Sequence, residues 1–316
     1  MTNKVVTITL NPALDLTGSL DSLNVGRVSL VNQSSLHAAG KGVNVAQVLT
    51  DLGADVTVTG FLGRDNQKMF CQLFDKTNVN DQFIRVDGAT RINVKLVERN
   101  GAVSDINFPG VEVSPQDLES FEKRLFKLAK DHEYFVLAGS LPKGVSTELC
   151  RSWMEKLNQL GKKVIFDSRR QALSEGLKGR PWLIKPNDEE LTYLVNRPLT
   201  SLAMVQQAAL EVAADIENVV ISLGSEGVMW HSNGEWAKAS PPKMEVVSTV
   251  GAGDTLVAGL CWGSMQGMDK NKTLSFATAL SALAVEQVGV GVPNIDTVCT
   301  LQKQIKVTSL TLGSVT

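Results

Sequence analysis

The chain has 316 residues, 43% of them apolar and 20% charged, which is ample material for a core and excludes a largely disordered segment. A formal net charge of -2 gives no general attraction to nucleic acid or to an anionic membrane, so any anion site must be local. Four widely spaced cysteines without a CxxC pair, and only three histidines, suggest neither a disulfide framework nor a zinc centre.

The start, MTNKVVTITLNPALD, lacks the basic end, long apolar core and cleavage site of a signal peptide, and no run of about eighteen apolar residues occurs; a cytoplasmic protein is expected. No Pro/Ser-rich linker or charge block divides the chain, which predicts one large domain carrying an insertion. In chain order, buried strands are expected at KVVTITL (4–10), DVTVTGF (55–61), YFVLAG (134–139), KVIFD (163–167), WLIKP (182–186) and NVVISLG (218–224). Helical spacing links Val43, Ala46 and Leu49, and again Leu118, Phe121, Leu125 and Leu128. The alternation predicts the α/β class, a mainly parallel sheet with helices on both faces. Residues 15–35 and 83–108 break the rhythm with polar alternation and the hairpin signal Asn100-Gly101, and predict a small antiparallel sheet projecting from the main one.

In such folds ligands gather where strands end and helices begin. Asn11 and Asp15 of NPALD follow the first strand, and Asp15 suits two neighbouring hydroxyls of a polyol, although Asn-Pro also starts an ordinary turn. In HAAGKGVNVA, Gly40 and Gly42 flank Lys41 ahead of a helix, an arrangement for a phosphate or for a plain glycine turn; it is not a P-loop. Arg91 in TRINVK can grip a phosphate with its planar fork or simply be solvated, and Arg27 is a weaker candidate of the same kind. Gly139 and Ser140 of AGSLP offer an N–H and a hydroxyl after a buried strand. Asn187 and Glu190 of KPNDEEL match a capping box, and the same carboxylate can hold water around a nucleotide-borne Mg²⁺. SLGSEG (222–227) reads either as a glycine turn or as a loop passing close to a nucleotide. In STVGAGDT, the third glycine of a dinucleotide fingerprint is missing, which disfavours an oxidoreductase. Asp254 is then either a helix cap or a base beside the N–H groups of 252–254, the combination phosphoryl transfer needs.

Taken together and in this order, NPALD, AGKGVNVA, GSLP, KPNDEEL, SLGSEG and VGAGDT resemble the motifs of the ribokinase-like sugar kinases, the phosphofructokinase B family, over nearly the whole chain. The lysine of HAAGKGVNVA, the opening NPALD and TRINVK followed by DINFPG most resemble the bacterial 1-phosphofructokinases. The resemblance implies a three-layer α/β/α fold with a β-lid, and transfer of the ATP γ-phosphate to the C6 hydroxyl of fructose 1-phosphate. It implies that Asp254 is the base and that Gly251, Ala252 and Gly253 form an anion hole. Asp15, Gly40, Lys41 and Asn44 correspond to sugar-phosphate contacts, with Arg91 and Ser140 at the phosphate end. Lys185, Asn187, Ser222, Gly224, Ser225, Glu226 and Gly227 correspond to the ATP side, and Gly253 adjoins it. Glu190 corresponds to the Mg²⁺ side, through water. A K⁺ site of backbone carbonyls falls on Ser248 and Val250, and the lid implies a homodimer. Ala38-Ala39 departs from the GG of many ribokinase relatives. A tagatose-6-phosphate or fructose-6-phosphate kinase, and a non-catalytic sugar-phosphate sensor, remain the alternative expectations.

Overall fold

The apolar runs assemble into an eleven-stranded central sheet in the computed structural model, which describes residues 3–287, 289–292 and 294–311. Lys4–Thr9 lies between Asp55–Gly63 and Tyr134–Ala138, and the sheet continues through Lys163–Asp167, Leu183–Ile184 and Asn218–Ser222, all parallel. Val228–Ser232, Glu235–Ser240 and Lys306–Leu310 extend it antiparallel to one edge. These edge strands were not expected from the sequence, although Asn233-Gly234 is a hairpin signal; φ values of 52° and 78° there match a two-residue primed turn.

Period-two alternation divides the strands between two cores. Tyr134, Val136, Ile165, Leu183 and Val220 face the helices Lys41–Asp51, Lys68–Thr77, Ala252–Met265, Lys270–Ala284 and Ile295–Gln302. Phe135, Leu137, Phe166, Ile184 and Ile221 face Pro115–Leu128, Thr147–Gln159, Arg170–Leu177, Asp188–Val195 and Leu202–Val212. The expected three layers are therefore present. The same alternation has a functional consequence. Asp167 stands two residues beyond Ile165, and Lys185 two beyond Leu183, so both polar side chains emerge at strand ends on the face covered by the Lys41–Asp51 and Ala252–Met265 helices.

The second, four-stranded sheet runs in the order Gln33–Ala39, Ala13–Leu20, Ile92–Glu98, Val103–Ile106. Its Asn100-Gly101 turn closes the expected hairpin, with Gly101 at φ 86°. The sheet differs from expectation in two ways. Ala13–Leu20 and Ile92–Glu98 pair in parallel, so the sheet is mixed, and Ile84–Val86 joins the central sheet beside Phe61–Gly63. Residues 21–32 are mostly irregular, and Arg27 sits there in an exposed turn. Among the described residues no helix is long and apolar enough to cross a membrane, and all four cysteines are free.

Candidate active site

Asp254 sits at the third position of its helix, whose N-cap is Gly251. Gly251 adopts φ 83°, a left-handed conformation that glycine accepts without a Cβ penalty, and it offers no side chain to the helix end. The Asp254 carboxylate does not cap the helix. Its Oδ2 accepts a 2.7 Å hydrogen bond from Asn44 Nδ2, so the helix-cap reading of this residue is replaced by a tertiary contact. Ala252, Gly253 and Asp254 are the first-turn positions at the positive end of the helix dipole, where Ala252 N makes a long 3.4 Å bond to Thr249 O in the preceding loop. Burial pushes the Asp254 carboxyl up to about 6, with Asp167 adding to the rise and Lys41, Asn44 and Lys185 opposing it.

Lys41 opens the helix Lys41–Asp51, and its Nζ lies 2.8 Å from Asp167 Oδ2. Lys185 Nζ approaches the other oxygen of Asp167 at 3.6 Å. Asp167 and Lys185 are almost wholly buried, at 1% and 4% side-chain exposure. Burial alone would raise the Asp167 carboxyl, but Lys185 and Lys41 outweigh it and hold the group ionised below its usual range. Burial likewise pulls Lys41 down, and Asp167, Asp254 and Glu190 overcome it and keep the ammonium charged. A Cβ built on Gly253 would stand 3.7 Å from Lys185 Nζ, so the second lysine reaches over the first turn of the Asp254 helix. Asp167 was not singled out from the sequence. The available signal was a carboxylate ending the strand KVIFD at the ligand-binding edge of the sheet.

A second cluster lies where the two sheets meet. Arg91 Nη2 donates to Asn11 O at 3.0 Å and to Ser140 Oγ at 3.4 Å, while its Nε and Nη1 donate to Pro12 O and Phe108 O, each at 3.3 Å. Asn11 Nδ2 also donates to Ser140 Oγ, at 3.1 Å. The expected phosphate-end pair, Arg91 and Ser140, is therefore brought together, with Asn11 added. Gly110 presses on Asn11 so closely that an added Cβ would fall 1.9 Å from Asn11 Oδ1. Burial lowers the Arg91 guanidinium, Asp15 opposing and Arg169 adding to the fall. Asp15, on the small sheet, accepts from Asn93 Nδ2 at 3.1 Å, and burial raises its carboxyl. Gly40, the N-cap of the Lys41 helix, packs between the clusters against Thr9 and Pro12. Lys41 pairs with Asp167 and is within electrostatic reach of Asp254, and its Cβ lies beside Gly139, next to Ser140.

Asn187 and Glu190 form the expected capping box, Asn187 N donating to Glu190 Oε2 at 3.0 Å and Glu190 N to Asn187 Oδ1 at 2.7 Å. Asn187 bridges to Ser222, which joins this helix start to the loop after the next strand. There Gly224, Ser225 and Glu226 make one 3₁₀ turn, closed by Gly227, with Glu226 exposed. Ser248 and Val250 lie in the loop preceding Gly251, where Ser248 N bonds Val285 O at 3.0 Å and Val250 N bonds Ser248 Oγ at 3.2 Å.

A three-layer α/β/α sheet with loop-borne charge at its strand ends and a small separate sheet beside it defines a ribokinase-like kinase. Comparison with known proteins places it further: residues 4–297 match the pfkB family of carbohydrate kinases, and the chain belongs to that family. It is 66% identical to the 1-phosphofructokinase of Vibrio cholerae over 99% of this chain and 100% of that protein. It is 34% identical to the tagatose-6-phosphate kinase of Staphylococcus epidermidis, over 96% and 99% of the two chains. Among solved structures, phosphofructokinase-2 from Escherichia coli in complex with potassium superposes with a TM-score of 0.88 at 26% identity, covering 96% of this chain and 99% of the other.

Proposed function

We propose that this carbohydrate kinase transfers the γ-phosphate of ATP to the C6 hydroxyl of fructose 1-phosphate, giving fructose 1,6-bisphosphate and ADP. The observation that carries the reading is the meeting of one tuned carboxylate and two lysines over the first turn of the Ala252–Met265 helix. The similarity to the Vibrio cholerae enzyme supports the choice of sugar.

Phosphoryl transfer asks the protein for positioning and for charge where charge develops. Asp254, held by Asn44, takes the proton of the attacking hydroxyl as the oxygen–phosphorus bond forms. The N–H groups of Ala252, Gly253 and Asp254, following Gly251, receive the charge of the transferred group. Lys41 and Lys185 bring positive charge, and Asp167 pairs with both and helps keep Lys41 ionised. In this role Lys41 serves the reacting end rather than the sugar's own phosphate. Asp15, Asn44 and Gly40 orient the sugar, and Arg91 with Ser140 holds its 1-phosphate.

Asn187, Ser222, Gly224, Ser225, Glu226 and Gly227 form the ATP side of this reading. Among the described residues no group of three or more His, Cys, Asp or Glu is placed to hold a metal. Asp167 is committed to two lysines and Asp254 to Asn44, leaving Glu190, with one oxygen on Asn187, as the acidic residue facing Lys41. That donor set fits a Mg²⁺ carried by nucleotide phosphates and reached by Glu190 through water. When bound, the ion neutralises phosphate charge. The carbonyls of Ser248 and Val250 are the proposed K⁺ ligands. Exposed Val25, Val28 and Leu30, at 93%, 88% and 79% in the loop between two small-sheet strands, support the reading of that sheet as a lid that pairs with a second copy.

A coupled assay with MgATP and fructose 1-phosphate, fructose 6-phosphate or tagatose 6-phosphate tests the assignment. The highest kcat/KM is expected for fructose 1-phosphate; equal or better turnover of a 6-phosphate overturns it.

A further inference from the structure

The phosphate end of the site has a second cation that no motif announced. Among the described residues, every hydrogen-bond partner of the Arg91 guanidinium is neutral: the carbonyls of Asn11, Pro12 and Phe108 and the hydroxyl of Ser140. The turn carrying Ser140 is laced to the end of the neighbouring strand. Gly139 N donates to Asp167 O at 2.9 Å, and Ser168 Oγ donates to Gly139 O at 2.9 Å. Arg169 follows directly, in extended backbone at φ -133° as the N-cap of the Arg170–Leu177 helix, where its side chain makes no capping bond. It is exposed, and among the described residues it has no carboxylate within ion-pair distance. It comes near enough to Arg91 for the two like charges to oppose each other. Two guanidiniums within electrostatic reach of each other flank the turn that carries Ser140, and among the described residues neither is in an ion pair, although Asp15 favours the charge of Arg91.

We propose that Arg169 is a specificity-determining residue that, with Arg91 and Ser140, binds the non-reacting phosphate of the sugar phosphate. This rests on the proposed sugar-phosphate site. Arg91 approaches from the seam between the sheets and Arg169 from the central sheet's own strand end, so the phosphate is gripped from two elements. A dianion between two planar forks takes several charge-assisted hydrogen bonds, and the mutual repulsion of the arginines turns into attraction once it is seated. A sugar without that phosphate leaves the repulsion in place, so the pair selects substrates already phosphorylated.

The test is steady-state kinetics of the full chain, its Arg169→Ala and Arg169→Lys variants, varying the sugar phosphate and then MgATP. Loss of a charged hydrogen bond predicts that Arg169→Ala raises KM for the sugar phosphate about tenfold or more, with the change in kcat much smaller. KM for MgATP stays at the native value, and Arg169→Lys recovers part of the loss. A sugar-phosphate KM equal to the native value, or equal rises in both substrates' KM, overturns the proposal. The native enzyme's choice among sugar phosphates judges the functional assignment separately, because the variant ratio is measured on whichever sugar phosphate the native enzyme prefers.

Discussion

The two charged clusters of the site handle burial in opposite ways. Around Asp254, the buried ions are paired: Asp167 is shared by Lys41 and Lys185, while Asp254, held by a neutral hydrogen bond from Asn44, keeps a raised pKa. Around Arg91, the guanidinium's hydrogen bonds all go to carbonyls and a hydroxyl, and burial outweighs Asp15, with Arg169 adding a like charge. A cluster tied by ion pairs and hydrogen bonds keeps one geometry before substrate arrives, which suits the reacting end. A cation whose hydrogen bonds all go to neutral groups keeps its ion-pairing capacity for a ligand. The comparison therefore predicts that damage to the first cluster appears in kcat and in stability, and damage to the second in KM.

The largest effect belongs to Asp254→Asn. The amide keeps the shape and the Asn44 neighbourhood but cannot accept the proton, so kcat should fall by about 10³-fold with KM for the sugar phosphate changed little, read by steady-state kinetics. An unchanged rate would remove the residue from the chemistry and favour a non-catalytic role. Next comes Asp167→Ala. Removing the shared carboxylate leaves Lys185, 4% exposed, without its counter-charge, and uncompensated buried charge costs about 3–5 kcal/mol. Chemical denaturation should show a loss of that order. A loss below about 1 kcal/mol, the size expected of exposed pairs, would mean that Asp167 does not hold the cluster together.

Much of this site was legible because it is carried by local chain chemistry. Gly251, Asn187 with Glu190, and the hairpin at Asn100-Gly101 are encoded within a few residues, and each occupies the local structure expected of it. What the sequence withheld depends on non-local pairing. The parallel match of Leu14 with Ile92 joins segments far apart in the chain, and no local pattern distinguishes it from an antiparallel one. Lys41 was legible as an anion-site lysine, whereas its partner lies 126 positions away, and only the sheet order brings the two side chains together. Likewise Asp254 could not be separated from a helix cap until Asn44, 210 positions away, was seen to claim its carboxylate.

Arg91→Ala sharpens the contrast from the other side. It removes a guanidinium from the phosphate end, and the sugar-phosphate KM should rise about tenfold to a hundredfold, with a smaller change in kcat. Should kcat fall as steeply as kcat/KM, the two clusters act as one unit and the division between binding and reacting ends is lost.

The smallest and most discriminating effect is on pH dependence. Burial places the Asp254 carboxyl at about 6, and a base works only when ionised, so kcat/KM should fall as the pH drops through about 6. The sign of its neighbours' influence follows from the form each stabilises. Asn44 donates to the carboxylate and therefore lowers its pKa; in Asn44→Ala that bond is gone and the acid limb should move to higher pH, by under about one unit for one neutral hydrogen bond. Lys41→Met removes a positive charge and should move the limb in the same direction. Arg91→Ala, at the phosphate end, should leave the limb in place, since Arg91 is not among the leading influences on Asp254. A limb that stays put in Asn44→Ala, or one that follows Arg91 instead, would assign the titration to a group other than Asp254, because among the described residues this is the carboxylate bonded directly to Asn44.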